Sequence, residues 1–166
     1  MIKYSIFAGG FDPPHYGHCF AIDTALTVNP KNIILICPRK YNISDEHYNN
    51  ILNMSKLFFG SLYSENSFEI INYKYSYFVD LLEYLIMTLK QVSFNIIIDS
   101  KIKLSEWKKY SRIIDENTFT IIERKLDINS LMIRTLCENK EYNDAVKYTS
   151  EEVIEYIKEN NLYQRS

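Results

Sequence analysis

Three glycines, two prolines and two histidines fall within ten consecutive residues, Gly9-Gly10-Phe11-Asp12-Pro13-Pro14-His15-Tyr16-Gly17-His18. The whole 166-residue chain has only four glycines, four prolines and three histidines, so background composition does not explain the cluster. Bare backbone at Gly9 and Gly10 lets an anion approach, and imidazoles beside it donate hydrogen bonds to phosphate oxygens. Phosphate-group transfer without a covalent protein intermediate relies on such positioning and charge stabilisation. A zinc site from His15, His18 and Cys19 is disfavoured, because adjacent helical residues face different directions and no fourth ligand is evident.

A cluster of this kind works only if flanking elements aim it. Ile2–Phe7 before it is an apolar, β-branched and aromatic run that predicts a buried strand. Phe20, Ala21, Ala25, Leu26 and Val28 after it fall at helical spacing. Strand, glycine-rich turn and helix in that order form a phosphate cradle, because a helix N-terminus presents free N–H groups and a positive dipole end. Further β-rich runs lie at Asn32–Cys37, Phe68–Ile71, Ser93–Ile98 and Phe119–Ile122. Helical patterns lie between them at Tyr16–Val28, Glu46–Tyr63, Tyr77–Lys90 and Leu104–Ile114. The alternation predicts an α/β fold: a Rossmann-like, doubly wound, mostly parallel five-stranded sheet with helices on both faces. Ligands of such sheets bind outside the carboxyl ends of the strands, where the glycine-rich turn leaves the first one. Thr149-Ser150-Glu151-Glu152 reads as a capping box opening a last helix, with Val153, Ile154, Tyr156 and Ile157 on its apolar side.

Composition narrows the setting. With 46% hydrophobic and 24% charged residues the chain is of ordinary globular type, and residues 1–166 read as one domain. A formal net charge of −2 argues against a broad nucleic-acid surface and leaves room for a local basic pocket. Cys19, Cys37 and Cys137 are scattered without a C-x-x-C spacing, which points to reduced thiols. No leader pattern and no membrane-length apolar stretch is present, so a cytoplasmic protein is expected.

The glycine–histidine segment resembles the first signature of the nucleotidyltransferase superfamily with an H-x-G-H motif. It is most similar to the nicotinate-mononucleotide adenylyltransferases, whose usual form is Gly-Gly-x-Phe-Asp-Pro-x-His-x-Gly-His. Aligning Ala8-Gly9-Gly10 with the family's Gly-Gly-Ser/Thr keeps Phe11 to His18 in register. The resemblance implies that His15 and His18 are catalytic and that Ala8, Gly9, Gly10 and Phe11 bind ATP.

Ile128-Asn129-Ser130-Leu131-Met132-Ile133-Arg134 resembles the family's Ile-Ser-Ser-Thr-x-Ile-Arg, which opens a helix against the ATP phosphates. Ser130, Ile133 and Arg134 match, whereas Asn129 and Leu131 depart. By this resemblance Ser130 binds ATP and Arg134 is catalytic, with one hydroxyl lost at Leu131. Asp99 matches the family aspartate of Gly-x-Asp that contacts the nucleotide, but Ile97 stands in place of the glycine. Trp107, the only tryptophan, matches a family residue near the pyridine pocket. Stacking on the base and packing in the core both remain open for it. Lys40 and Tyr77 match family positions that bind the mononucleotide. The family's arginine in the helix after the second strand is missing, and Tyr48-Asn49-Asn50 occupies that region.

The resemblance implies an adenylyltransferase joining ATP to nicotinate or nicotinamide mononucleotide, with Mg2+ held by phosphates and water and no protein metal ligands. Small-molecule nucleotides are the expected partners, with no nucleic acid or membrane, and a homo-oligomer is left open. Two alternatives stand beside it: another acceptor such as phosphopantetheine, or a non-catalytic nucleotide sensor.

Overall fold

Alternate side chains of one central strand feed two different cores. In β2 (Ile33–Pro38), Ile34 and Ile36 enter one apolar cluster while Leu35 and Cys37 enter another. Side chains alternate across a strand, so a strand apolar at every position must be covered on both faces. The computed structural model describes residues 1–124 and 126–165, apart from the side chain of Tyr110. Its five strands are β1 (Tyr4–Gly9), β2, β3 (Phe68–Ile70), β4 (Asn95–Asp99) and β5 (Thr118–Ile122). They form one all-parallel sheet in the order β3-β2-β1-β4-β5.

The chain moves outward from β1 to β3, then returns to β4 on the other side of β1. Right-handed crossovers therefore place the helices that precede β2 and β3 on one face and those that precede β4 and β5 on the other. Helices α1 (Tyr16–Val28) and α2 (Asp45–Leu62) pack on the first face through Ala21, Ile22, Met54 and Phe58. Helices α5 (Ser130–Glu138) and α7 (Glu151–Glu159) join them through Ile133, Cys137, Val153 and Ile157. Between these two lies the short α6 (Tyr142–Ala145). On the opposite face, α3 (Phe78–Leu89) and α4 (Tyr110–Glu116) bury Leu81, Leu82, Leu85 and Ile113. The expected doubly wound architecture is borne out, with every strand pair parallel.

At the strands' N-terminal ends, the Asn95 amide donates to Ser5 Oγ at 3.1 Å and Thr120 Oγ1 at 2.9 Å. The Asn32 amide reaches the same Ser5 hydroxyl at 3.1 Å. This buried chain spans β1, β4 and β5, so a register slip would strand polar groups that cost about 1–3 kcal/mol each.

Three local expectations change. The first strand runs to Gly9 rather than Phe7, because Ala8 and Gly9 stay paired with Cys37 and Pro38. The segment expected as one helix over Leu104–Ile114 splits into a 3₁₀ turn (Leu104–Glu106) and α4. Trp107 is extended there, and Lys109 takes a left-handed conformation at φ 56°, which a continuous helix does not allow. The last helix is capped by Ser150, whose side chain accepts from the Val153 amide at 3.3 Å, so Thr149 and Glu152 form no capping box. The Thr149 hydroxyl instead donates to the Pro14 carbonyl at 2.8 Å.

Candidate active site at the carboxyl edge of the sheet

The turn from β1 into α1 is built by its own two imidazoles. His15 caps the helix, its Nδ1 accepting from the Gly17 amide at 3.1 Å. His18 Nδ1 accepts in return from the His15 amide at 3.0 Å, and the rings stack with centroids 3.8 Å apart. A neutral imidazole carries one proton, so an accepting Nδ1 places it on Nε2. Each ring thus keeps one N–H donor. Burial, then the Arg124 charge, holds His15 down at about 4. Burial, His15 and Arg124 hold His18 well below its ordinary value. Both rings are therefore neutral donors near pH 7. Gly17 is required here: a Cβ would lie 2.8 Å from the His15 ring.

Two cavities meet at this edge. The first, of about 160 Å³, is lined by His15, His18, Gly17, Asp99 and Arg124 among others. The second, of about 690 Å³, is lined by Arg39, Tyr77, Phe78, Trp107 and Lys108 among others. They share Ala8, Gly9, Gly10, Ile97 and Ile102 as a common wall. Groups bound in the two spaces would face each other across the end of β1. Such a pair of adjoining spaces suits a transfer between two bound molecules.

Sequence-expected residues divide between this edge and the scaffold behind it. Asp99 reaches the first cavity, its carboxylate 2.7 Å from Arg124 Nε. Trp107 and Tyr77 reach the second, with Trp107 partly buried against the Phe78 ring at 4.7 Å between centroids. Ile97, standing where the family has glycine, is buried in the shared wall. Lys40 lines neither cavity and pairs with Asp45. Phe11 also lines neither. Its ring is 1% exposed, sits among Phe7, Phe59 and His18, and its backbone turns at φ 50°.

The second signature holds the first. Arg134 donates to the Asp12 carbonyl at 2.7 Å, Ser130 to the Pro13 carbonyl at 2.9 Å and Thr149 to the Pro14 carbonyl. Three successive carbonyls of the proline-rich turn are thus held from the last third of the chain. Neither Ser130 nor Arg134 is among the residues lining the two cavities. Asn129, a departure from the family pattern, caps α5 by accepting from the Met132 amide at 2.9 Å.

Sequence reasoning missed two groups. Arg124, just past β5, is the cation on the first cavity. Nothing in Glu123-Arg124 marks it, because its meeting with Asp99 depends on the pairing of β4 with β5. The second is a junction at Asp12, where His47 Nε2 lies 2.9 Å from one carboxylate oxygen and the Tyr163 hydroxyl donates to the other. Burial alone would raise the Asp12 value, but hydrogen bonds from His47 and Tyr163 bring it below the ordinary one. His47 is raised by its bond to Asp12.

Among the described residues, no three His, Cys, Asp or Glu side chains gather as a metal-holding group. No helix among them is long and apolar enough to cross a membrane.

The sequence model of the family described as Cytidylyltransferase-like matches residues 6–161. A probable nicotinate-nucleotide adenylyltransferase of Clostridium perfringens (strain SM101 / Type A) is 26% identical over 158 residues, covering 89% of this chain and 78% of the relative. One from Clostridium botulinum (strain Alaska E43 / Type E3) is 23% identical over 202 residues and covers 99% of each. Among solved structures, Plasmodium falciparum nicotinic acid mononucleotide adenylyltransferase complexed with NaAD matches with a TM-score of 0.76 at 18% identity, covering 98% of each chain. A putative nicotinate-nucleotide adenylyltransferase from Vibrio parahaemolyticus matches with a TM-score of 0.76 at 20% identity, covering 93% of this chain and 97% of the other. At these identities the solved structures establish a common fold.

Proposed function

The chain belongs to the cytidylyltransferase-like family, and from that premise we propose that it joins ATP to nicotinate or nicotinamide mononucleotide, releasing pyrophosphate in NAD biosynthesis. It is a nucleotidyltransferase, and the names of its relatives support adenylyl transfer to a pyridine mononucleotide. The observation that carries the reading is the pair of cavities sharing the Gly9-Gly10 wall, one with two neutral imidazole donors and one with Trp107.

In this reading ATP occupies the first cavity. Ala8, Gly9 and Gly10 let its phosphates approach the backbone, and the Nε2–H groups of His15 and His18 donate to phosphate oxygens. Arg124 leaves Asp99 for the incoming phosphates, and Asp99 is freed for the nucleotide. The mononucleotide lies in the second cavity, its ring against Trp107 and Tyr77. Its phosphate attacks the α-phosphorus in line and pyrophosphate leaves, so the imidazoles stabilise charge without accepting a proton. Ser130 and Arg134 act through the turn they hold. Phe11 serves the core beneath it, and no binding role is proposed for Lys40. Mg2+ would come with the ATP phosphates, since the described residues offer no cage for it.

Pyrophosphate release measured over a panel of acceptors tests the reading. Release with a pyridine mononucleotide and not with phosphopantetheine is the expected result. Binding of ATP without turnover on any acceptor would instead indicate a nucleotide sensor.

A further inference from the structure

Two elements that line neither cavity reach the segment that carries both imidazoles. His47, in the first turn of α2, lies with Nε2 2.9 Å from one Asp12 carboxylate oxygen. The Tyr163 hydroxyl, from the segment after α7, donates to the other oxygen. The two rings meet edge-on at 6.1 Å between centroids and grip the carboxylate as one clamp. Backbone on both sides of the clamp is left-handed, at φ 60° in Tyr163 and φ 50° in Phe11, the residue before Asp12. Such backbone in an aromatic residue persists only where surrounding contacts over-determine it. Pro13 and Pro14 have no N–H to donate, so their segment is held through its carbonyls and through the Asp12 side chain. Arg134, Ser130 and Thr149 take the carbonyls. The carboxylate is left to α2 and the tail. From there the contacts run inward: the buried Phe11 ring lies 4.7 Å from the His18 ring between centroids, and His18 stacks on His15 at 3.8 Å.

We propose that His47 and Tyr163 position the two imidazoles, holding the Asp12 carboxylate and through it the left-handed Phe11 whose ring backs His18. The effect on rate rests on the adenylyl-transfer reading; the effect on the rings rests on the contacts alone. Deleting the Tyr163 hydroxyl leaves a partly buried carboxylate oxygen without its donor, and Asp12 must turn to find another. Close packing passes that turn to the neighbouring Phe11 ring and on to His18, since no void is there to absorb it. The Nε2–H donors of both imidazoles then point off line, and a hydrogen bond weakens steeply as its angle closes.

The test uses Tyr163→Phe, which keeps the ring and deletes only the hydroxyl, with His47→Ala and His47→Gln, the second keeping a donor. In Tyr163→Phe and in His47→Ala, kcat should fall about fivefold with both KM values unchanged, a fraction of the loss from a full misplacement. His47→Gln should recover most of it. The double variant Tyr163→Phe/His47→Ala should lose less than the product of the two, because both act through one carboxylate. Imidazole resonances give a second readout that needs no substrate. The chain has three histidines, so His47→Ala identifies its own signal and leaves those of His15 and His18. Both of these should shift in Tyr163→Phe. Unmoved His15 and His18 resonances overturn the proposal, as does wild-type kcat in Tyr163→Phe whatever its melting temperature, or a rise in KM with kcat held. If no acceptor is turned over, the adenylyl-transfer reading fails while the resonances still decide the positioning.

Discussion

The two cavities differ in how far apart in sequence their chemistry comes from. The first draws both imidazole donors and the glycines facing them from residues 9–18, where the bonds that orient the rings close over two or three residues, and only Asp99 and Arg124 pair there across a longer separation. The second gathers Arg39 after β2, Tyr77 before α3 and Trp107 with Lys108 after β4. The two imidazoles are oriented by bonds within one short turn, whose carbonyls are held in addition by Arg134, Ser130 and Thr149, so a single displaced atom is felt directly at the rings. Walls assembled from three separate connections share a perturbation among them. Damage to the first cavity should therefore appear in kcat, and damage to the second in the KM of one substrate.

The largest expected effect is at His18. His18→Ala should lower kcat by about 10²–10³, the loss typical of one donor to developing charge. Its cap bond to the His15 amide adds a stability loss of about 1 kcal/mol, read as a modest fall in melting temperature. Steady-state kinetics beside a melting curve decide it. Near-normal kcat in a folded variant would remove His18 from the chemistry and collapse the contrast between the cavities.

Gly17→Ala probes the same turn without touching a donor. The new Cβ meets the His15 ring at 2.8 Å, so the ring must move. A displacement on the order of 1 Å at a reacting centre costs about 10²-fold, and that loss is expected in kcat with both KM values little changed. If KM for ATP rises while kcat holds, the turn binds ATP without orienting it.

Trp107→Ala sharpens the other side. Trp107 is partly buried against Phe78 and also lines the cavity, so the substitution should act on both binding and stability. The expected result is a several-fold to tenfold rise in KM for the mononucleotide, with that for ATP unchanged. A loss of about 3–5 kcal/mol in stability with unchanged KM values would assign the indole to the core alone.

The smallest effect concerns the Asp12 junction, whose residues line neither cavity. Asp12 is lowered in the folded chain, so its contribution is present above the ordinary carboxylate value and is lost as pH falls through the lowered one. His47 is raised, so its contribution is full below about 6.5 and is lost as pH rises through the raised value. The pair therefore stabilises most between about pH 4 and 6.5. His47→Gln should cost about 1 kcal/mol or less at pH 5 and less still at pH 8, measured as the gap between two melting curves. A gap that widens toward pH 8 would show that the pair does not titrate in this order.

Much of the fold was legible because strands apolar on both faces, such as Ile33-Ile34-Leu35-Ile36, leave a chain no choice but a covered sheet. The helix over residues 104–114 was misread since its apolar spacing is helical, while the left-handed turn at Lys109 leaves no mark in a lysine. The capping box at Thr149 was misread for a related reason. Its hydroxyl is claimed by Pro14, a partner 135 residues away.

By itself the sequence determined the reciprocal cap of His15 and His18 that opens α1, because these residues interact with near neighbours whose spacing is set by the backbone. Only the tertiary structure decided what Ser130 and Arg134 touch, that Arg124 meets Asp99, and that Asp12 ties His47 to Tyr163. The Ser130 and Arg134 bonds join residues 117 and 122 positions apart. Contacts of that separation arise from sheet order and helix packing, and a side chain's type names the bonds it can make without naming which group folding will bring beside it.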